Sequence, residues 1–540
     1  MIFGVELPAR GLLPHSDGVA AALQRPTPGA EPTQAAEPSF ELPFDGRTIA
    51  FILLAFVGVW LAVLALTSLS PPVDDIEQLT WVRSLEWGYY KHPPLPTWLL
   101  WLPVRLFGLA AWVAYLMGAA CTVGAVLILW RLLRVLRGPS YAGLALLASL
   151  CITYYNRQLN FYNHEVVLLL LTAASAWLCW QAFATGRLRW WLALGAAIGL
   201  GALAKYQVAV TLCCVLCFGL QQRAWRNDRH RLGALAASLT ALLIFSPHIE
   251  WLRNHDFEPV HYAMGTSLSV GLPLLARCEQ ALHWLADQLL NRALPAWLLL
   301  APVLWRARRS GVRPVAAVSA VSAGHEDPRS RAFLLIWGGV PLLFMPAVAL
   351  VFGADLPMHW GAPFLLLAVP AAMELVRRET WERVDLARVL PVFLLLQAVL
   401  LATMYFSSSV GPLRWRSQGW RNVDSRALAR EVGAAAREEL GGPIRIVVGE
   451  PAMAGALSLD LAEHPLVLIN GRFDHSPWIA RDLLRRCGAL QIGRSVLPGG
   501  AGHRGHAGLE WHVVPPERNA AGCTAVSAPT ALRTASGEVG

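Results

Sequence analysis

Charge is scarce in this chain. Only 15% of its 540 residues are Asp, Glu, Lys or Arg, against about 25% in an ordinary soluble domain. That scarcity excludes a disordered chain, which carries much charge and little apolar surface, and almost any plain cytosolic enzyme. Nucleotide-binding signatures are missing as well. No Gly-x-Gly-x-x-Gly follows a strand pattern, there is no phosphate loop, and no HExxH or GxSxG serves a plausible site. Nucleotide chemistry therefore has no visible home. Cysteines are few and scattered: of nine, Cys121, Cys151, Cys179, Cys213, Cys214 and Cys217 fall inside apolar runs. Cys214 and Cys217 match a CxxC spacing, but no second pair accompanies them, which argues against a metal or redox framework. Cys487 and Cys523 lie in the final segment and are free to pair if that segment is outside the cell.

What is abundant is apolar sequence, at 55% of residues with a mean hydropathy of +0.44. A helix crossing a hydrocarbon core of ~30 Å needs about 20 apolar residues. Runs approaching or reaching that length recur, at 48–70, 110–131, 141–156, 165–184, 190–205, 207–222, 232–252, 283–305, 332–354, 360–376 and 389–406. They predict an all-α polytopic membrane protein with about 11 transmembrane helices. Loop charge orients it. Nineteen Lys/Arg residues fall in one set of short loops, including Arg131, Arg189, Arg226 and Arg309, and seven in the other, including Arg83, Lys91 and Arg253. The positive-inside rule puts the first set and the N-terminus in the cytoplasm, in a multi-pass protein of the cytoplasmic (inner) membrane. The net charge of +9 then reflects topology and contact with membrane lipid. Nucleic acid is not expected as a partner, because no basic stripe is interleaved with exposed aromatics.

Residues 1–47, rich in Pro, Ala and Glu and without an apolar signal-peptide core, predict a disordered cytoplasmic tail. The membrane domain spans 48–406. In 407–515 the apolar runs shorten. Ile444–Val448 and Leu466–Ile469 read as buried strands, and 424–440 and 477–487 as amphipathic helices, which predicts a small extracytoplasmic α/β domain. Residues 516–540 read as a disordered tail.

The candidate site residues all fall in loops of the outer set. The first loop carries Asp74, Asp75 and Glu77, then Trp87-Gly-Tyr89-Tyr-Lys91-His92-Pro-Pro-Leu95. A carboxylate at the membrane interface suits a general base, with Lys91 and His92 as a cation pair for phosphate. The same Pro-Pro-x-Asp-Asp pattern is also how a helix start is capped. The apolar, Trp-rich run 97–107 suits a helix lying on the membrane. A second loop holds Asn163, His164 and Glu165 among Tyr154, Tyr155 and Tyr162, a set able to bind and stack on a sugar, or equally an aromatic belt with a capped helix. A later loop holds His248, Glu250, Arg253 and His255, suited to phosphate or, as the only cofactor candidate, a divalent cation. A final turn adds His359 beside Trp360.

The first-loop motif resembles that of bacterial glycosyltransferase family 39, relatives of the protein O-mannosyltransferases and lipid A aminoarabinose transferases with the GT-C fold. In it an acidic pair is followed, fourteen residues after Asp74, by Gly88-Tyr-Tyr-x-His-Pro-Pro-Leu95. Asn163–Leu169, Gly199–Tyr206, Ser246–Phe257 and Pro451–Gly488 resemble further family segments in the same order. The resemblance implies a hexosyl or pentosyl transferase that moves a sugar from a polyprenyl-phosphate donor to a lipid, glycan or protein acceptor at the outer face, with inversion. It implies Asp74 as catalytic base, with Asp75 where many members carry Glu, and the Lys91–His92 segment against the carrier phosphate. Asn163 stands where many relatives carry Asp, and Glu77 where they often carry an aromatic. A lipid or solute transporter or flippase is the alternative reading; it would need ionisable residues at the bilayer midplane, for which Asp287 is the candidate.

Overall fold

The structure is a computed structural model that describes residues 45–517 and Cys523, apart from 269–270, 310–326, 378, 383, 385, 414–419, 495 and 506–507. The predicted tails 1–47 and 516–540 lie outside the described residues but for 45–47, 516–517 and Cys523. The helical part runs α1 (Gly46–Leu66), α2 (Val73–Trp81), α3 (Leu95–Phe107), α4 (Ala111–Arg137), α5 (Pro139–Leu150), α6 (Thr153–Arg157), α7 (His164–Thr185), α8 (Leu188–Ala204), α9 (Val208–Gln221), α10 (Asp228–Asn254), α11 (Glu258–Ala263), α12 (Leu274–Ala286), α13 (Leu294–Arg309), α14 (Pro328–Phe352), α15 (Ala368–Met373), α16 (Glu379–Glu382) and α17 (Leu386–Phe406). Among the described residues, α1, α4, α7, α10, α14 and α17 are long and apolar enough to cross a membrane, and α3, α5, α8, α9 and α13 are shorter apolar helices.

Two expected spans are broken. Residues 283–305 divide at a π-helical turn, Asp287–Arg292, where an ion pair of 2.9 Å joins the two ends. Residues 360–376 form two 3-10 turns and the six-residue α15. Pro363 and Pro370 each remove a backbone donor there and obstruct a regular helix. Residues 141–156 form α5 and the one-turn α6. Every residue of α5 from Tyr141 on is buried, so this short helix lies in the middle of the bundle rather than against lipid. The run expected to lie on the membrane is α3, and it exposes Leu99, Trp101, Leu102, Leu106 and Phe107.

Close packing in the bundle depends on small residues. α8 packs on both α7 and α10. A Cβ at Gly195 would come 2.2 Å from the Ala237 carbonyl oxygen, and one at Gly199 3.0 Å from that of Ala241. This is the small-xxx-small solution to helix association where lipid supplies no hydrophobic drive.

The C-terminal α/β domain consists of α18 (Ser425–Leu440), β1 (Ile446–Gly449), α19 (Pro451–Asp460), β2 (Leu466–Ile469), α20 (Arg481–Cys487), β3 (Ala489–Ile492), β4 (His503–Arg504) and β5 (Glu510–Val514). The sheet order is β2-β1-β3-β5-β4. β1 is parallel to β2 and β3, with Ile446 opposite Leu466, and β5 is antiparallel to β3 and β4. The uninterrupted apolar run of β1 is fully buried, as expected of a parallel strand covered on both faces. Cys487 and Cys523 form a disulfide. The domain packs on the membrane part through α19 against α2, where a Cβ at Gly455 would lie 2.3 Å from Ile76. Trp81, Tyr89 and Tyr90 of the first loop belong to the apolar core of this domain.

Candidate active site

The acidic motif forms α2. Pro72 stands at its N-cap and Asp74 and Asp75 in its first turn, where carboxylates favour the helix dipole. No side chain caps this helix, so Asp74 and Asp75 are residues of its first turn rather than its N-cap. Asp75 turns inward and is fully buried; its Oδ1 accepts a 2.9 Å bond from the Tyr162 backbone N–H. The Tyr162 hydroxyl in turn donates to the Pro96 carbonyl. Asp75 was expected to be catalytic, but its geometry is that of a clamp between α2 and the loop before α7. Asp74 is half-buried, and its Oδ2 accepts a 2.9 Å bond from the Asn163 amide. The Asn163 Oδ1 caps α7 by accepting from Val166 N–H at 3.0 Å. One amide thus performs two tasks, donating through its NH2 and accepting through its oxygen, which an ionised Asp at this position could not do.

Two Lys–carboxylate pairs are part of the same cluster. Glu77 is bonded to Lys91, and Glu165, at the start of α7, to Lys205, the residue that ends α8. His359, in the 3-10 turn that follows α14, lies 3.4 Å from the Glu165 carboxylate. The His92 and His164 rings meet at 4.0 Å. Lys91 lies 5.5 Å from the ring centres of Tyr90 and Tyr262. The cluster gathers residues from α2, the first loop, α7, the end of α8 and the turn after α14, all at one end of the bundle. A narrow pocket beside it is lined by Asn163, Glu165, His359, Tyr154, Gln158 and Phe161, among others.

The electrostatics follow from burial and pairing. Burial, then the Glu165 charge, raise the Asp74 carboxyl above its ordinary value, against the opposing pull of Asn163, His359 and Lys205. Burial also raises Glu77, in opposition to Lys91. Burial works against the Lys91 charge, but Glu77, with Tyr90 and Tyr262, outweighs it and holds the ammonium protonated. His92 is driven well below its usual value by burial and then by His164 and Lys205. It is therefore a neutral imidazole, and the expected Lys91–His92 cation pair reduces to Lys91.

Other expected site residues lie elsewhere. The Tyr89 ring stacks on Trp81 at 4.9 Å and its hydroxyl donates to the Ser84 carbonyl, so it is an inward-facing scaffold residue. Both nitrogens of His248 are engaged, one with the Tyr206 hydroxyl at 2.8 Å and one with the Trp87 carbonyl at 2.6 Å. It fastens α10 to the first loop. Glu250 and Arg253 form a loose exposed pair at 3.9 Å, and His255 stacks on Trp251 and bonds its carbonyl. Of the set considered for a divalent cation, His248 is buried with both ring nitrogens engaged, whereas Glu250 and His255 are exposed and contact neighbours at the end of their own helix. Among the described residues a different group, Glu258, Asp474 and His475, brings ligand-type atoms within 4.8 Å. Arg472 contacts both of its carboxylates, and His475 bonds Glu258.

Lys205 is the member that sequence reasoning left out. It was legible as an isolated cation ending an apolar helix, a position where ionisable groups are costly and have functional uses.

Comparison with known proteins bears on the fold and on the class of activity. Residues 91–251 match the family described as dolichyl-phosphate-mannose-protein mannosyltransferase. The chain is 24% identical over 443 residues to the lipopolysaccharide core galacturonosyltransferase RgtA of Rhizobium johnstonii, covering 78% of this chain and 82% of that protein. It is also 24% identical over 433 residues to RgtB of the same organism, covering 78% and 83%. Its fold is similar to that of ArnT from Cupriavidus metallidurans bound to undecaprenyl phosphate. The TM-score is 0.61 at 14% identity, over 87% of this chain and 98% of that one. Taken with its membrane-length helices and these matches, the chain is a multi-pass membrane glycosyltransferase of the GT-C type.

Proposed function

We propose that this enzyme transfers a sugar from a polyprenyl-phosphate carrier to an acceptor at the outer face of the cytoplasmic membrane, with Asp74 as general base. The observation that carries the reading is Asp74 itself: a half-buried carboxylate hydrogen-bonded to Asn163 and flanked by the Lys91–Glu77 and Lys205–Glu165 pairs. In the reaction the acceptor hydroxyl gives its proton to Asp74 as its oxygen bonds to the anomeric carbon. The bond from that carbon to the phosphate oxygen breaks, and its electron pair leaves with the carrier phosphate. Attack opposite the leaving group inverts the anomeric centre. Lys91, half-buried and held protonated, is the cation for the growing phosphate charge. Burial that lifts Asp74 above a carboxylate's usual value strengthens it as a base.

The carrier class is supported by the ligand of the similar ArnT structure. A lipid-linked saccharide acceptor is supported by the lipopolysaccharide substrates in the names of the galacturonosyltransferases. An extracytoplasmic C-terminal domain is supported by the Cys487–Cys523 disulfide, a bond favoured in oxidising compartments. The transporter reading rested on Asp287, whose carboxylate is engaged by Arg292 and Asn291.

The test is turnover of purified Asp74→Asn in detergent, with a polyprenyl-phosphate sugar that supports the wild type. A loss of about 10²–10⁴-fold is expected for removal of a general base, with unchanged protein yield. Near-wild-type transfer by this variant refutes the assignment. Detergent turnover by the wild type also separates transfer from transport, which needs a sealed vesicle.

A further inference from the structure

The chain contains only two lysines, Lys91 and Lys205; every other basic residue besides histidine is arginine. Both lysines lie in the cluster around Asp74, and each engages a carboxylate there. Burial alone does not explain this choice. Arg137 and Glu374 make an equally buried pair, with side chains 6% and 7% exposed. There the guanidinium takes both carboxylate oxygens, at 2.9 and 2.8 Å. Such a fork fixes the carboxylate completely. Lys205 is a compact point charge, and the contact it makes is to the single oxygen Oε1 of Glu165, the same oxygen that His359 approaches at 3.4 Å. It neutralises Glu165 without clamping both oxygens.

We propose that Lys205 is a positioning residue for sugar transfer: its ammonium holds Glu165 in place between His359 and Asp74 and sets the charge that Asp74 experiences. This rests on the reading of Asp74 as the base. The ammonium also lies 5.4 Å from the ring centre of Trp360, which fixes it from the His359 turn. Lys205 therefore ties together the end of α8, the start of α7 and the turn after α14. Glu165 cannot be buried alone, since removing one partner of a buried pair leaves an uncompensated charge. The charged and titratable groups around Asp74 are Glu77 on its own helix, Lys91 and His92 from the first loop, His164 and Glu165 on α7, Lys205 and His359. Glu165 opposes ionisation of Asp74, and Lys205 and His359 favour it.

The experiment is the pH profile of kcat/KM for purified Lys205→Met, Lys205→Arg and Glu165→Gln, with a polyprenyl-phosphate sugar that supports the wild type. Asp74 acts ionised, so activity falls on the acid side as it takes up its proton. Lys205→Met removes a cation and is expected to move that acid limb up by roughly 1 pH unit, the size of effect one neighbouring charge exerts. Glu165→Gln removes an anion and is expected to move it down. Lys205→Arg keeps the charge and leaves the limb near its wild-type position. Shifts of opposite sign cannot arise from a shared loss of packing. Where Lys205→Met fails to fold, the Lys205→Met/Glu165→Gln double variant carries no orphan charge, and its limb is expected above that of Glu165→Gln and near that of the wild type, because one cation and one anion are removed together. Limbs that stay in place, or that move the same way in both single variants, overturn the proposal. If Asp74→Asn is inactive and the limbs do not move, only the role of Lys205 falls. If Asp74→Asn is active, the base assignment falls with it.

Discussion

At the residue scale, Asn163 shows how one side chain serves a helix end and the proposed base together. Its amide donates to Asp74 while its oxygen caps α7. Asn163→Asp keeps the cap, since Asp and Asn are comparable there, but it replaces a donor by a like charge. Asp74 then becomes harder to ionise. The expected outcome is an acid limb of kcat/KM at higher pH, with helix stability close to wild type; an unmoved limb would show that the Asn163–Asp74 bond does not tune the base. Lys91 is a second case. Lys91→Met strands the buried Glu77 carboxylate, whose side chain is 8% exposed. Breaking a buried pair costs about 3–5 kcal/mol. Thermal unfolding in detergent should register that loss, and Lys91→Met/Glu77→Leu should recover most of it. Activity should stay low in the double variant, because the cation for the phosphate is still missing.

At the element scale, stability depends on how closely helices approach. Gly195→Leu drives a side chain into the backbone of α10 near Ala237, and overpacking costs about 1–3 kcal/mol or more. Gly339→Leu, on a face of α14 with nothing within 4 Å of a Cβ, is the control. The first should lower the unfolding midpoint in detergent, and the second should leave it unchanged. Gly455 matters for a different reason, because α19 rests through it on α2, which carries Asp74. Gly455→Leu should displace α2 and reduce kcat more than KM while the protein still accumulates. The disulfide closes a loop with a sequence separation of 36. Losing it by Cys487→Ser should cost roughly 3–4 kcal/mol on the chain-entropy scale for loops of that order, read as earlier unfolding of the α/β domain.

At the scale of the whole molecule, the chain has two chemically unlike ends. The candidate site, Tyr262, His359 and the α/β domain are at one; among the described residues, Arg137, Glu374 and the arginines between α7 and α8 and between α9 and α10 are at the other. The proposed orientation predicts that a cysteine at Arg253, whose side chain is 69% exposed, reacts with a membrane-impermeant maleimide in intact cells. One at Arg226, before α10, should react only after permeabilisation, in a background with Cys278→Ser. The opposite pattern would put Asp74 in the cytoplasm and remove the case for an outer-face transferase. Much of the architecture was readable because apolar length and helix breaking are local properties: the long spans, the surface helix α3 and the strands β1 and β2 all follow from short windows. The segment 360–376 misled because its composition is that of a span, whereas its prolines decide its shape.

The sequence by itself determined that this is a polytopic membrane protein whose candidate site residues fall together on one side, because charge, apolar run length and the Asp74 to Leu95 spacing are carried in the order of residues. It also set apart Asp74, since an acid at the start of a short helix beside a membrane span is visible without coordinates. Only the tertiary structure decided which neighbours matter. Asp75 and Tyr89 are close in sequence to the proposed base and cation and yet point into the core, whereas Glu165 and Lys205, forty residues apart, form a buried pair beside Asp74. Direction along a helix and pairing across helices are set by packing and by the cost of burying an uncompensated charge, and neither is a local property of the chain.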